Sequence, residues 1–151
     1  MPLTHALNEH AFTQGLTAAQ IDILANLATE VSFRENDVIL VDGQRSTFFY
    51  LVLTGSAVVE LRTPVCVIAV QPLGPGNVFG WSALLDRQDT LFQVRAREHT
   101  TALRIDGAAL KTRCMTDTAL GAELLHRILH VVAGRVKATE IRFAEMCGVR
   151  V

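Results

Sequence analysis

The segment GPGNVFGWSALLDRQDTLFQVRA, residues 74–96, contains the residue types best suited to hold a small ligand. A turn rich in glycine and proline leads to a glycine between two aromatic residues at 79–81. A short helical run and a second strand follow. Glycine lets a backbone approach a ligand closely, and the free N–H groups at the start of a helix attract anions. This order of elements predicts a cradle for a phosphate.

Other residues with chemical potential are weaker candidates. His126 and His130 lie four apart on a predicted helix, a spacing that can bring two imidazoles to one metal ion. Only Glu123 is available as a third ligand on that face, so we predict no metal site. The sequence contains no nucleophile elbow, Walker loop or paired catalytic carboxylates. Ser46 and Ser82 are single serines near turns, and we predict that the protein is not an enzyme.

The elements that position the cradle follow from changes in hydrophobic period. A helix is predicted over about 17–31, where Thr17 and Gln20 have the spacing of a capping box. From about 32 to 105, short β-rich runs are separated by turns roughly every ten residues, which is typical of an antiparallel roll or sandwich. Helices return over about 106–146. The prediction is one α+β domain covering residues 1–151.

Composition narrows the class of protein and its location. The chain has 151 residues, half of them hydrophobic, and a formal net charge of −1. Such a balance argues against general binding to nucleic acid or to membrane surfaces. Three cysteines without metal-ligand spacing are expected to be free thiols, with Cys66 buried in an apolar run. Because no signal peptide or membrane-spanning run is visible, a cytoplasmic, bacterial type of protein is expected.

Several stretches together resemble the cyclic nucleotide-binding domain of the catabolite-activator and Fnr-type regulators. They are the early strands with Gly43, the turn in LTGSAVVE, the segment LGPGNVFGWSALL and the strand pair RARE…LRID. The resemblance covers roughly residues 16–146 and implies an antiparallel β-roll (a jelly-roll-like double-stranded β-helix) between an N-terminal helix and C-terminal helices. It also implies a cyclic nucleotide, cyclic AMP or cyclic GMP, or another small anion as a possible ligand.

The segment LGPGNVFGWSALL resembles the phosphate-binding cassette of this family. This cassette departs from the family pattern at its charged positions. In the family, an acidic residue after the glycine binds the ribose, and an arginine about ten residues later binds the phosphate. Here the acidic position is Trp81, and the arginine position falls on Thr90, or on Asp89 if the loop differs by one residue. The positions that follow are Phe92 and Gln93. The seat for the anion is therefore expected to lack a cationic side chain.

Two substitutes for the missing contacts remain open. Arg87 could turn into the seat, although its place in an LDRQD turn also fits an exposed residue. On the long helix, the resemblance implies that Thr139, or Arg135 one turn earlier, lies near the base of a nucleotide; Thr139 could instead be a small residue in a dimer interface. The candidate ligand-binding residues are Phe79, Gly80, Trp81, Ser82, Ala83, Arg87, Thr90, Leu91 and Thr139.

The long helix is also expected to form a homodimer. Val132, Val136, Ile141 and Phe143 extend its apolar stripe beyond what a small roll can cover. Only CGVRV follows Met146, so no helix-turn-helix is expected and direct DNA binding is not predicted. Two hypotheses remain: a regulatory sensor with a degenerate cassette, acting on an unknown partner protein, or a constitutive dimerising scaffold whose pocket is plugged by Trp81 and Phe92.

Overall fold

The computed structural model of the protein describes residues 2–85 and 89–150. Four α-helices and eight strands form in this part of the chain, together with two short 3-10 turns. The helices are α1 (Pro2–Glu9), α2 (Ala18–Leu27), α3 (Gly107–Thr116) and α4 (Thr118–Met146). The strands are β1 (Ala28–Phe33), β2 (Val38–Leu40), β3 (Phe48–Thr54), β4 (Ala57–Arg62), β5 (Val67–Leu73), β6 (Val78–Phe79), β7 (Gln93–Ala96) and β8 (Thr100–Asp106). The 3-10 turns are Ala11–Thr13 and Trp81–Leu84.

The strands form two four-stranded antiparallel sheets, which confirms the predicted α+β roll. One sheet has the order β1-β8-β3-β6 and the other the order β2-β7-β4-β5. Apart from the β4–β5 hairpin, strands that follow each other in sequence alternate between the sheets, so the chain winds around a shared interior. The pairing of Tyr50 with Phe79 fixes the end of β6, and therefore the start of the predicted cassette, against the centre of the first sheet.

Two hydrophobic layers hold the roll and the helices together, and β3 contributes to both. Phe49 and Leu51 face α1, α2, α3 and α4 in one core cluster. Tyr50 and Val52 point the other way, into the interior of the roll. Alternation along a strand produces this arrangement, and burial on both faces makes β3 apolar almost throughout.

The first predicted helix is correct at its start and wrong at its end. Thr17 and Gln20 form both bonds of the capping box. The helix ends at Leu27, however, and residues 28–33 form β1, paired with β8. The apolar spacing from Ile21 to Val31 fits one helix face, but pairing with an existing sheet satisfies the backbone of the last four residues instead. The helix at residues 2–9 was not predicted.

His10 connects the N-terminal segment to the roll by a hydrogen bond to Val52 of β3. Its side chain is buried; Nδ1 accepts a hydrogen bond from the Phe12 N–H at 3.1 Å, and Nε2 lies 2.9 Å from the Val52 carbonyl oxygen. Since Nδ1 accepts, Nε2 must carry the proton and donate to that carbonyl. Burial lowers the pKa of this imidazole, while the bond to Val52 raises it by less.

A lowered pKa makes this contact sensitive to acid. A neutral ring stabilises the fold fully above the unfolded value of 6.5, and this contribution should be lost as the pH falls below it. In the variant His10→Asn the side chain can still accept the hydrogen bond from Phe12. We expect its free energy of unfolding to fall less than that of the wild type when the pH is lowered from about 7.5 to 5. His10→Ala should lose about 2 kcal/mol at neutral pH. Urea unfolding at several pH values measures both; equal pH slopes in wild type and His10→Asn would contradict the assignment.

Candidate functional site

The predicted cassette forms around a glycine in the left-handed region. Phe79 ends β6, and its ring stacks on Tyr50 with centroids 4.7 Å apart and planes inclined by 11°. Gly80 follows with φ of 81°. A Cβ at this position would lie 2.5 Å from the carbonyl oxygen of Phe48, which belongs to β3. Only glycine therefore fits between the cassette and the sheet.

The helical run after Gly80 is a single 3-10 turn of four residues, Trp81–Leu84. A turn this short has a small dipole, so the dipole attraction that the resemblance implied is weak here. The buried Ser82 accepts a bond from the Ser46 N–H at 3.4 Å. Ala83 packs against the start of α3, since a Cβ on Gly107 would meet it at 2.5 Å. Both residues tie the cassette to the rest of the protein.

The space above Gly80 is almost filled. A cavity of about 20 Å³ remains, which is room for about one water molecule. Thr90 contributes a hydroxyl that accepts from the Phe92 N–H at 3.1 Å and so closes its own turn. The lining residues are Leu40, Phe79, Gly80, Trp81, Ser82, Thr90, Phe92, Val94 and Arg135. Most of this lining is apolar, and its charged group comes from outside the cassette.

That charged group is Arg135 of α4. Its Nε donates to Oε1 of Gln71, on β5, at 2.6 Å. Burial lowers the pKa of the guanidinium to about 10. No carboxylate in the described residues 2–85 and 89–150 forms an ion pair with Arg135. The expectation of a seat without a cationic side chain is therefore wrong, because the long helix supplies one.

A larger groove continues from the small cavity. It has a volume of about 580 Å³ and shares Trp81, Thr90, Phe92 and Arg135 with the cavity. Its other lining residues are Asp89, Leu91, Val132, Val136, Thr139, Glu140 and Phe143. Thr139 uses its hydroxyl within α4, where it donates to the Arg135 carbonyl at 2.8 Å. Arg135 therefore lies where the small cavity meets the larger groove.

The structure thus groups most of the predicted site residues. Five of them surround the small cavity: Phe79, Gly80, Trp81, Ser82 and Thr90. Leu91 and Thr139 line the groove, and Ala83 packs on α3. Arg87 lies outside the described residues. The role of Gln71 was not predicted, and Arg135 was predicted only as an alternative, because nothing local links a strand residue to a helix residue 64 positions away.

The other sequence candidates carry no comparable geometry. The rings of His126 and His130 make an edge contact with centroids 4.8 Å apart, and the described residues contain no group of three or more potential metal ligands. Cys66 is exposed at the β4–β5 turn, so the prediction of burial was wrong. Burial, and secondarily Asp117, raises the pKa of the Cys114 thiol, which makes it less reactive.

Within the described ranges, no helix is both long and apolar enough to cross a lipid bilayer.

Comparisons with known proteins support the same fold. The family profile of the cyclic nucleotide-binding domain matches residues 30–117. A crystal structure from Geobacter metallireducens, described as a cyclic nucleotide-binding protein, is 25% identical with a TM-score of 0.79, covering 90% of this chain and 99% of its own. A cyclic nucleotide-binding domain from Methylobacillus flagellatus is 17% identical with a TM-score of 0.78, covering 95% and 82%.

A regulatory domain is also among the similar structures. The sensor domain of the transcriptional regulator DNR from Pseudomonas aeruginosa is 18% identical with a TM-score of 0.69, covering 89% of this chain and 91% of its own. A search of curated proteins finds no significant match.

Proposed function

We propose, since the chain belongs to the cyclic nucleotide-binding domain family, that it is a regulatory, ligand-sensing module whose cassette binds cyclic AMP and cyclic GMP weakly or not at all. The observation that supports this proposal is the filled seat above Gly80. Ligand pockets usually offer roughly 300 Å³ or more, whereas this cavity has about 20 Å³. A cyclic phosphate could reach the backbone of Gly80 only if Trp81 or Phe92 moved.

The polar groups around the seat also suit a cyclic nucleotide poorly. Trp81 cannot accept a hydrogen bond from a ribose hydroxyl. Thr90 stands where the family has its arginine, and a hydrogen bond to a charged partner contributes about 1.5–3 kcal/mol. Asp89 is exposed on the edge of the groove and would repel a phosphate. Loss of the arginine alone would weaken binding by about tenfold to a hundredfold.

A variant that regains the acidic residue and the arginine of the family pattern should bind cyclic AMP. We expect no saturable heat when cyclic AMP is titrated into the wild-type protein up to about 1 mM. The double variant Trp81→Glu, Thr90→Arg should bind at least about tenfold more tightly, because it regains the ribose acceptor and the phosphate donor. A matched control places the same charges at exposed sites, Val65→Glu with Met115→Arg. Micromolar binding by the wild type would contradict the proposal.

The alternative function is a constitutive scaffold with a vestigial pocket. The same filled seat favours it, since Trp81 and Phe92 would then be permanent core residues. The double variant separates the two functions. If it binds no nucleotide although it remains folded, the pocket is not recoverable and the scaffold is favoured.

We further propose that the chain forms a homodimer through α4. Of this 29-residue helix, only Leu120, Gly121 and Leu124 are fully buried. Beyond them the apolar residues repeat at spacings of four and three, a heptad pattern that two parallel helices can bury. This heptad seam consists of Leu125, Leu129, Val132, Val136, Thr139, Phe143 and Met146. Five of its members are exposed by half or more: Leu125, Leu129, Val136, Phe143 and Met146.

One charge in the seam should break the dimer. Leu129 is 65% exposed and does not line the groove. Leu129→Asp places two carboxylates in one twofold interface, so we expect the dimer dissociation constant to rise by about a hundredfold or more. Lys137→Asp, outside the seam on the same helix, should change it by less than about threefold. Sedimentation velocity measures both, and a wild-type monomer at about 50 µM would overturn the dimer.

A further inference from the structure

We infer that this site binds a monocarboxylate with an apolar body, and that Arg135 on α4, not a cassette residue, is the group that holds the carboxylate. The inference rests on the proposed ligand-sensing function and gives it a class of ligand. It starts from Arg135: the side chain is partly buried and charged, and it forms no ion pair with an acidic residue in the part of the chain that the structure describes. Buried charges normally have an opposite charge beside them.

The hydrogen bonding of Arg135 limits the shape of a ligand that its guanidinium can hold. Gln71 accepts from Nε at 2.6 Å and so anchors the guanidinium beside β5. The two terminal Nη groups have no hydrogen-bond partner among the described residues. A pair of parallel N–H groups matches the two oxygens of a planar carboxylate. One guanidinium neutralises one negative charge, which favours a monoanion.

The groove beside Arg135 indicates that the part of the ligand attached to the carboxylate is apolar. It offers about 580 Å³ and is lined largely by apolar side chains, including those of Leu91, Val136 and Phe143. Asp89 and Glu140 also line it and would repel negative charge anywhere except at Arg135, so the ligand can carry only the one carboxylate that the guanidinium holds. An aliphatic or aromatic body fits such a lining better than a ribose and a base do. Trp81, beside both the cavity and the groove, offers a flat face on which the body can stack.

A second copy of the chain competes with the ligand for this groove, because Val132, Val136, Thr139 and Phe143 belong both to the groove lining and to the heptad seam. The second copy also offers a competing carboxylate. In the heptad seam, Arg135 and Glu140 occupy the two flanking positions that form ion pairs between parallel helices. In the structure, however, Gln71 holds Arg135 on the side of the roll, where it lines the small cavity with Gly80 and Ser82. We therefore assign Arg135 to a ligand and keep the pair with Glu140 of a second copy as an outcome of the test.

Trp81 makes the inference directly measurable, because it is the one tryptophan in the sequence. The full chain is titrated with decanoate, and with decanol as an uncharged control, while tryptophan emission is recorded. We expect a saturable change with decanoate and at least about tenfold weaker binding of decanol. Arg135→Gln should weaken decanoate binding by at least about tenfold. Lys137→Gln, which removes an exposed charge from the same helix, should leave it within about twofold.

Several outcomes would overturn the inference. They are the absence of a saturable signal, equal binding of decanol and decanoate, or undiminished binding by Arg135→Gln. A tenfold rise in the dimer dissociation constant of Arg135→Gln, measured by sedimentation, would also overturn it, because Glu140 of the second copy would then be the partner. If decanoate fails to bind while cyclic nucleotides also fail, the carboxylate inference falls and the proposal of a degenerate cassette stands.

Discussion

Gly80→Ala should destabilise the protein by about 3 kcal/mol or more, the largest effect we expect from one methyl group in the cassette. Two penalties add at this position. A φ of 81° is unfavourable for any residue with a Cβ. The new Cβ would also lie 2.5 Å from the Phe48 carbonyl oxygen, a backbone atom that belongs to β3 and cannot move independently.

Gly43→Ala is the matched control for that substitution. Gly43 has a φ of 77°, and nothing lies within 4 Å of a Cβ built on it. It therefore shares the conformational penalty without the clash, and we expect a loss of about 1–2 kcal/mol. Urea unfolding of both variants gives the comparison. Equal losses would show that Gly80 is needed only for its turn, and that the cassette does not press against the sheet.

Arg135→Met should stabilise the protein, which is unusual for a substitution at a partly buried position. A guanidinium whose pKa burial lowers to about 10 destabilises the folded state by roughly 3 kcal/mol relative to full hydration. Loss of the bond to Gln71 removes about 1 kcal/mol of stabilisation. We therefore expect the free energy of unfolding to rise by about 1–2 kcal/mol.

The stability gain of Arg135→Met should be independent of pH over the neutral range. Below the folded pKa of about 10, Arg135 is charged in both the folded and the unfolded protein, so its penalty is constant there. The difference between Arg135→Met and wild type should therefore not change between about pH 6 and pH 9. Lys137→Met, an exposed site on the same helix, should have little effect. A loss of stability in Arg135→Met would mean that the guanidinium is a structural contact, not a ligand-binding group kept at the expense of stability.

The parts of the fold that local chemistry determines could be predicted from the sequence. The capping box of Thr17 and Gln20 predicted the start of α2, and the structure forms both of its hydrogen bonds. The end of α2 could not be predicted, because Val31 lies on an apolar face in either a helix or a strand. Pairing of β1 with β8, more than seventy residues away, decides between them.

In the candidate site, too, local features could be predicted and features that depend on long-range contacts could not. Gly80 and the aromatic residues around it are neighbours in sequence, so the position of the cassette could be predicted. Arg135 could not be placed there with certainty, because its position depends on the contact of α4 with β5 through Gln71. Cys66 shows the opposite error: its apolar neighbours indicated burial, but they lie at an exposed hairpin turn where Val65 is 90% exposed.

Thermal unfolding with and without about 1 mM cyclic AMP or cyclic GMP tests most directly whether the cassette is closed to these nucleotides. A ligand present at about a hundred times its Kd adds about 2.7 kcal/mol, which would raise the Tm of a protein of this size by roughly 5–10 °C. We predict no change in Tm with either nucleotide. A rise of several degrees that disappears in Gly80→Ala would show that the seat above Gly80 opens and binds a cyclic nucleotide, and would contradict the account.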